Sequence, residues 1–225
     1  SVREYLAGGE GLQSSADAPI GDRLQDAHWL WEPNVRAVQE SRVELVRGDM
    51  RDFRLGREFA LISIPFRAFQ HLLTVEDQIA CLGSVQRHLR SGGLLVLDLF
   101  NPSLAALTDE QRLKGWGDEP EFTLPDGRRV VRRFRIARRD WNAQVQDVEM
   151  LYLVTHADGR QEQHVDAFPM RYLFRFEAEH LLVRCGFDVE AVWGGYDQTP
   201  LGQTYPGELI CLARKAERPG PAGHS

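Results

Sequence analysis

The sequence lacks long hydrophobic runs, paired cysteines and an N-terminal leader pattern. Its apolar stretches, such as Leu94 to Leu97, are far shorter than the about 18 residues that suggest a membrane span. No charged-then-apolar segment opens the chain, so we expect an unexported, cytoplasmic protein that does not enter a membrane. Cys81, Cys185 and Cys211 lie far apart and form no CxxC pair. This spacing predicts buried reduced thiols and no metal site.

A basic surplus is also missing, since 27 Lys and Arg face 33 Asp and Glu, giving a formal net charge of -6. This balance argues against general nucleic-acid binding, which requires a basic surface. Seven arginines do fall between positions 128 and 139. However, Phe134 and Ile136 alternate with them, and Asp147 and Glu149 lie on the next predicted strand. We therefore expect a solvated face with cross-strand charge pairing rather than contact with nucleic acid.

The central part of the sequence alternates strand and helix signals, which is typical of an α/β fold. Predicted strands cover Val43–Val46, Phe59–Ile64 and Leu94–Leu99, and Pro65 stops the second of them. Between the last two strands, apolar spacing predicts a helix over Val75–Leu89, with Thr74 as its N-cap. A strand, a helix and a strand in this order make a right-handed parallel crossover.

A different pattern follows, over about residues 121–170. Three extended segments are separated by turn residues, including the hairpin signal Asp158-Gly159. They predict an antiparallel β meander inserted into the α/β frame. The remaining predicted elements are a helix at Phe176–Cys185, strands at Phe187–Trp193 and Glu208–Arg214, and a mobile tail over residues 217–225.

Two groups of motifs resemble class I S-adenosylmethionine-dependent methyltransferases. Residues Val43 to Pro102 contain VELVRGDMRDF, FALISIPFRAFQHL and HLRSGGLLVLDLFNP, which are similar to the second half of that fold. Residues Arg171 to Phe187 (RYLFRFEAEHLLVRCGF) resemble the helix and strand near its C-terminus. The resemblance implies a doubly wound, mostly parallel, Rossmann-like sheet over residues 43–216. It also implies that S-adenosylmethionine binds at the carboxyl ends of the strands.

The resemblance implies roles for particular residues in holding the cofactor. The Asp49 carboxylate would accept a hydrogen bond from the adenine amine, while Met50 packs on the ring. Ile64, Pro65 and Phe66 would form an apolar wall beside the transferable methyl group. The alternative for Asp49 is that Gly-Asp only forms a turn, since both residues favour one.

Further positions would face the methyl acceptor. Phe69 is expected to contact substrate, and His71 is the candidate proton acceptor because its ordinary pKa is close to neutral. Arg171 and Tyr172 could close over a substrate carboxylate or phosphate. The alternatives are that His71 only packs or caps a helix and that Arg171 forms a cross-strand ion pair.

The family's glycine-rich cofactor loop is absent or degenerate in residues 1–42. Gly8-Gly9-Glu10-Gly11 follows a segment too polar for a buried central strand. Glu32 stands about 20 residues later, after the predicted strand Ala27–Trp31, where the family's ribose-binding acid would lie. Three explanations remain: a rearranged N-terminal section, completion of the sheet by a partner subunit, or a truncated reading frame.

The leading hypothesis is a methyltransferase that uses S-adenosylmethionine and acts on a small molecule. Its alternative is a methyltransferase-derived binding or regulatory protein that has lost the cofactor, which would form a homo-oligomer or bind another partner. A third hypothesis, an RNA-directed enzyme using the arginine strand, has less support.

Overall fold

A computed structural model describes residues 44–217, and these form two compact units. The sheet unit comprises residues 48–109, 140–146 and 169–217, and the meander unit comprises residues 44–47, 110–139 and 147–168. Several predictions lie outside the described residues. They concern the loop at Gly8–Gly11, the strand Ala27–Trp31, the ribose contact at Glu32 and the tail beyond residue 217.

Strands and helices alternate on either side of a run of five consecutive strands. In chain order, the elements are β1 (Phe59–Ile64), a 3-10 helix (Ala68–His71), α1 (Val75–His88), β2 (Leu89–Phe100), α2 (Leu104–Thr108), α3 (Gln111–Lys114), β3 (Gly117–Asp118), β4 (Phe122–Thr123), β5 (Arg129–Asp140), β6 (Val145–Thr155), β7 (Gln161–Arg171), α4 (Arg175–Arg184), β8 (Phe187–Trp193) and β9 (Glu208–Lys215).

The sheet unit contains a mixed sheet with the strand order β1-β2-β9-β8. β1 and β2 are parallel, with Leu61 opposite Leu94 and Ile64 opposite Leu97, and α1 is the crossover between them. β9 is antiparallel to both β2 and β8. The prediction of an α/β fold with a parallel crossover is therefore confirmed.

Helix α1 begins and packs as its sequence predicts. The Thr74 hydroxyl accepts a hydrogen bond from the Asp77 backbone N–H at 3.1 Å, which caps the first turn. Leu82 and Val85 on its apolar face are buried in one core with Leu95 and Leu97 of β2. Burial of this face against the sheet is what holds α1 in place.

The boundary between α1 and β2 differs from the prediction, because β2 already begins at Leu89. Gly92 adopts a φ of 66°, and a Cβ on Gly93 would lie 2.9 Å from the Arg90 carbonyl oxygen. The two glycines therefore allow a bend inside the strand, where the pairing with β1 shifts register between Phe59 and Leu61.

The predicted strand at Val43–Val46 is wrong for the residues that the structure describes. Glu44 to Asp49 have no regular secondary structure, and more than half of the Leu45 and Val46 surface is exposed. No strand in residues 44–217 pairs with this segment. Without a neighbouring strand, the segment gains no ladder of backbone hydrogen bonds from the extended conformation.

The meander unit contains the predicted antiparallel strands. β5, β6 and β7 are neighbours in one sheet and are joined by short turns, so they run antiparallel. Arg135 on β5 donates to the Glu149 carboxylate on β6 at 2.6 Å, and Arg138 donates to Asp147 at 2.7 Å. Cross-strand charge pairing of the arginine-rich strand is therefore confirmed.

Candidate active site

A cavity of about 290 Å³ lies at the carboxyl ends of β1 and β2, the usual position of ligands in open α/β sheets. Its walls are mostly apolar, and its one acidic residue is Asp98. The lining residues are Ser63, Ile64, Pro65, Phe66, Val96, Asp98, Trp193, Tyr196 and Ile210.

The turn after β1 holds its backbone in an uncommon conformation. Phe66 and Arg67 have φ values of 55° and 60°, in the left-handed region that non-glycine residues rarely adopt. Two such residues in succession cost energy and persist only where surrounding contacts hold them, often at functional sites. Here the turn directs the Phe66 backbone N–H toward Asp98, to which it donates at 2.9 Å.

Asp98 is a nearly fully buried carboxylate, with 4% of its surface exposed. Its Oδ2 atom accepts hydrogen bonds from the Phe66 backbone N–H and the Tyr196 hydroxyl, each at 2.9 Å. Its Oδ1 atom is buried and receives no hydrogen bond from residues 44–217. One oxygen is therefore fixed by two donors, while the other has unused acceptor capacity.

Tyr196 reaches Asp98 from the loop between β8 and β9. Most of its surface is exposed, but its hydroxyl is held at the carboxylate. Burial of the hydroxyl and its hydrogen bond to Asp98 raise the pKa of Tyr196 above its ordinary value. The tyrosine therefore remains a neutral donor at physiological pH.

An ion pair connects the same turn to the first residue of β9. Arg67 donates from Nη2 to both carboxylate oxygens of Glu208, at 3.2 and 2.9 Å. Its guanidinium also lies 5.7 Å from the centre of the Phe100 ring, a favourable position for a cation. These contacts brace the turn beside the cavity.

Three of the predicted cofactor residues, Ile64, Pro65 and Phe66, come together in the cavity wall. Asp49 is not a lining residue; its carboxylate accepts hydrogen bonds from Arg51 at 2.7 to 3.1 Å and stays half exposed. The Arg51 side chain and backbone N–H lower the pKa of Asp49 to about 2. Met50 is partly buried and packs against the core.

Two residues of the 3-10 helix that follows were predicted to face substrate, and they differ in burial. Phe69 is fully buried in the core, whereas His71 is exposed at the end of the helix. Neither belongs to the cavity lining. Gln70, between them, is fully buried and bonds both the Phe100 N–H, at 2.6 Å, and the Arg171 carbonyl, at 2.9 Å. The roles of Phe69 and His71 stay predictions.

Arg171 and Tyr172 lie where β7 leads toward α4. Arg171 donates to the Leu73 carbonyl at 3.2 Å and approaches Glu177 at 3.6 Å. Tyr172 is buried, with its ring edge-on to Phe174. These contacts fix the chain locally, and substrate binding by the two residues stays a prediction.

Sequence reasoning missed Asp98, Tyr196 and Glu208. The available signal was Asp98 itself, an acid inside the otherwise apolar segment Leu94–Leu99. A buried acid needs compensating partners and is often functional. Tyr196 carried no such signal, because it lies 98 positions from Asp98 in a loop.

Within residues 44–217, no helix is both long and apolar enough to cross a membrane. In the same part of the chain, no group of three or more His, Cys, Asp or Glu side chains could hold a metal ion.

Similarity to solved structures identifies the fold. An S-adenosylmethionine-dependent methyltransferase from Clostridium acetobutylicum superposes with a TM-score of 0.65 at 15% identity, covering 84% of this chain and 71% of that one. The described residues have the class I S-adenosylmethionine-dependent methyltransferase fold. The resemblance noted in the sequence is thus confirmed at the level of the fold.

Sequence relatives point in the same direction, although no family model matches the chain. The dTDP-3-amino-3,4,6-trideoxy-alpha-D-glucopyranose N,N-dimethyltransferase of Streptomyces venezuelae is 32% identical over 153 residues, which are 67% of this chain and 60% of that protein. The cypemycin N-terminal methyltransferase of a Streptomyces species is 28% identical over 219 residues, covering 93% and 82%. The chain therefore spans only about 60% of the first relative's length.

Proposed function

We propose that this chain is a methyltransferase that uses S-adenosylmethionine and acts on a small molecule. The observation that carries the proposal is the cavity at the carboxyl ends of β1 and β2, which has apolar walls and one buried carboxylate. The methyltransferase fold and two sequence relatives that are both named as methyltransferases support it.

The described residues suit the adenine and methyl ends of the cofactor. Asp49 is ionised at physiological pH and half exposed, so its carboxylate is accessible to an adenine amine, which would share it with Arg51. Ile64, Pro65 and Phe66 supply an apolar wall, and Met50 lies next to Asp49. The predicted ribose contact at Glu32 lies outside the described residues and is part of the proposal.

When bound, the cofactor would supply an electrophilic methyl group to the lone pair of the acceptor and leave as S-adenosylhomocysteine, and the acceptor would pass its proton to a base. The protein's task is to align the acceptor and exclude water, which lowers the barrier mainly through proximity. His71 remains the proposed proton acceptor, and Phe69, Arg171 and Tyr172 remain proposed substrate contacts.

The proposal includes the finer architecture. We infer a doubly wound, mostly parallel, Rossmann-like sheet in the whole protein, of which β1 and β2 form the parallel pair described. A cytoplasmic location is also proposed, supported by three cysteines that form no disulfide in the structure. The second candidate is a methyltransferase-derived binding or regulatory protein that has lost the cofactor. The degenerate glycine-rich loop in the sequence favours this candidate, whereas the cavity at the carboxyl ends of β1 and β2 favours the enzyme.

Calorimetry of the full chain with S-adenosylhomocysteine tests cofactor use. We expect saturable binding that Asp49→Asn weakens about threefold to tenfold, because the variant loses a charged acceptor. Asp52→Asn is the control, since this neighbouring carboxylate is exposed and has no proposed ligand. If millimolar S-adenosylhomocysteine produces no heat and no thermal shift, the methyltransferase proposal is rejected in favour of the cofactor-free binding or regulatory protein.

A further inference from the structure

Residues 49–55, which include the proposed adenine contacts, form neither a helix nor a strand. The segment contains a turn, in which the Asp52 N–H donates to the Asp49 carbonyl at 3.2 Å. No strand in residues 44–217 pairs with it. Backbone groups outside a helix or sheet take their hydrogen bonds from side chains or water, so the conformation of this segment depends on the side chains beside it.

Three polar side chains on one face of α1 bind residues 49–55. Asp77, Ser84 and His88 are seven and four residues apart, a spacing that places them on the same face of a helix. Ser84 and His88 are buried, with 0% and 5% of their surface exposed. Burying a polar side chain is costly unless it is hydrogen-bonded, so the partners of these two residues are informative.

Ser84 and Asp77 fix Arg51 at both ends. The Ser84 hydroxyl donates to the Arg51 carbonyl at 2.7 Å and accepts a hydrogen bond from Arg87 Nη2 at 2.7 Å. Arg51 donates from Nη1 to Asp77 at 3.0 Å and from Nη2 to Asp49 Oδ2 at 2.7 Å. The position of the Asp49 carboxylate therefore depends on α1 through Arg51.

His88 fixes the other end of the segment. Its Nε2 atom accepts a hydrogen bond from the Leu55 backbone N–H at 3.0 Å. Because a backbone amide can only donate, the ring must carry its proton on Nδ1, which lies 2.8 Å from the Ser84 carbonyl oxygen and donates to it. The Phe53 ring packs beside the imidazole, with 4.5 Å between the ring centres.

We propose that Ser84 and His88 are positioning residues for cofactor binding, which hold residues 49–55 so that Asp49 and Met50 face the adenine ring. This inference rests on the proposed function, which assigns the adenine contacts to Asp49 and Met50. Ser84 and His88 act through the backbone of the segment. Holding a binding segment in its bound conformation raises affinity because less ordering remains to be done when the ligand binds.

Matched substitutions of His88 test the inference on the full chain. His88→Phe keeps a ring of similar size but cannot accept the Leu55 N–H, whereas His88→Gln supplies an amide oxygen that can. In calorimetry with S-adenosylhomocysteine, we expect His88→Phe to raise the Kd about twofold to tenfold, the range for one net hydrogen bond. His88→Gln should restore most of the affinity, and Ser84→Ala should weaken binding by a similar factor to His88→Phe.

Two further measurements separate positioning from a general loss of stability. Long-range ¹H–¹⁵N NMR spectra, with the His88 signals assigned by their loss in His88→Gln, should show the ring proton on Nδ1 in the wild-type protein. The double variant Asp49→Asn/His88→Phe should lose less affinity than the product of the two single losses. The reason is that the position of the segment matters less once the Asp49 carboxylate is gone.

A histidine on another helix provides the control. His180 is exposed on α4, so His180→Phe should bind S-adenosylhomocysteine as the wild-type protein does. If His88→Phe does not fold, Ser84→Ala takes its place in the double variant with Asp49→Asn.

The outcomes distinguish this inference from the proposed function. Wild-type affinity in both His88→Phe and Ser84→Ala overturns the positioning role and leaves the proposed function standing. A ring proton on Nε2, no rescue by His88→Gln, fully multiplicative losses in the double variant, or equal weakening by His180→Phe also overturns it. If the wild-type protein does not bind S-adenosylhomocysteine, the proposed function fails, and the inference fails with it.

Discussion

Arg67 and Glu208 are 141 positions apart, yet one guanidinium nitrogen donates to both carboxylate oxygens, at 3.2 and 2.9 Å. This pair ties the turn after β1 to the first residue of β9, across β2. It therefore links two strands that make no hydrogen bonds with each other, directly beside the cavity.

Removing this ion pair should have a small effect on stability. Both side chains are partly exposed, so Glu208→Gln is expected to lower the free energy of unfolding by about 0.5–1 kcal/mol. Urea unfolding of Glu208→Gln, Arg67→Met and the double variant measures the coupling. Strictly additive single effects would show that the two residues do not interact.

The strained turn predicts opposite results for two substitutions of Phe66. Phe66→Gly keeps the N–H that bonds Asp98 and suits the φ of 55°, so its unfolding free energy should stay within about 1 kcal/mol of wild type. Phe66→Pro cannot adopt that φ and has no N–H to donate, so it should be destabilised by clearly more than about 1 kcal/mol. Similar unfolding midpoints for the two variants would contradict the turn geometry described above.

Asp49 predicts a loss of stability in acid. The pKa of the Asp49 carboxyl group is about 2 in the folded protein, against an ordinary 3.8. Above pH 3.8 the carboxylate is ionised and stabilises the fold. This stabilisation is lost as the pH falls from 3.8 through about 2, below which the group is protonated in both the folded and the unfolded protein. The stability difference between wild type and Asp49→Asn should therefore shrink between these two pH values. A difference that stays constant across this range would exclude the Arg51 interaction as its cause.

The cysteines should differ in reactivity. Burial raises the pKa of Cys81 and of Cys211 to about 12, so almost no thiolate forms at pH 8 and the core blocks access. Cys185 is only partly buried, although burial raises its pKa as well. With Ellman's reagent, we expect one slowly reacting thiol in the native protein and three after denaturation. Cys185→Ser should abolish the native signal, and its persistence would place the reactive thiol in the core.

Glu149 in the meander unit offers a larger stability effect. Its side chain is 5% exposed and pairs with Arg135 at 2.6 Å, while Trp116 stacks 4.7 Å from the same guanidinium. Glu149→Ala leaves a mostly buried arginine without that partner and should cost about 3 kcal/mol. The more exposed pair is the control, so Asp147→Ala should cost only about 0.2–1 kcal/mol. Thermal unfolding measures both, and equal losses would mean that burial does not set the strength of these pairs.

The fold was predictable where apolar periodicity follows burial. Helix α1 and the strands of the meander show such periods, and their positions in the structure agree with them to within a few residues. The start of β2 was not predictable, because Gly92 and Gly93 can end a helix or bend a strand. The segment Glu44–Val46 has a strand-like composition but no neighbouring strand among residues 44–217, and strand pairing is not encoded locally.

The site was predictable only where one segment carries it. Ile64, Pro65 and Phe66 follow one another in the sequence, and the structure places all three in the cavity wall. Asp98, Tyr196 and Glu208 come from a strand interior, a long loop and a strand start, and only tertiary structure brings them together. Residues that lie about 100 positions apart in the sequence form no short motif from which their contact could be predicted.

The strand order of the sheet also has a consequence for protein synthesis. β9 lies between β2 and β8, so β8 is joined to the sheet only through a strand that follows it in the chain. While the ribosome is still making residues 208–215, one edge of β2 and the whole of β8 lack their hydrogen-bonding partner. Such open edges bind chaperones or other nascent chains. Completion of this sheet therefore waits for the synthesis of β9, and expression should benefit from slow synthesis or added chaperone.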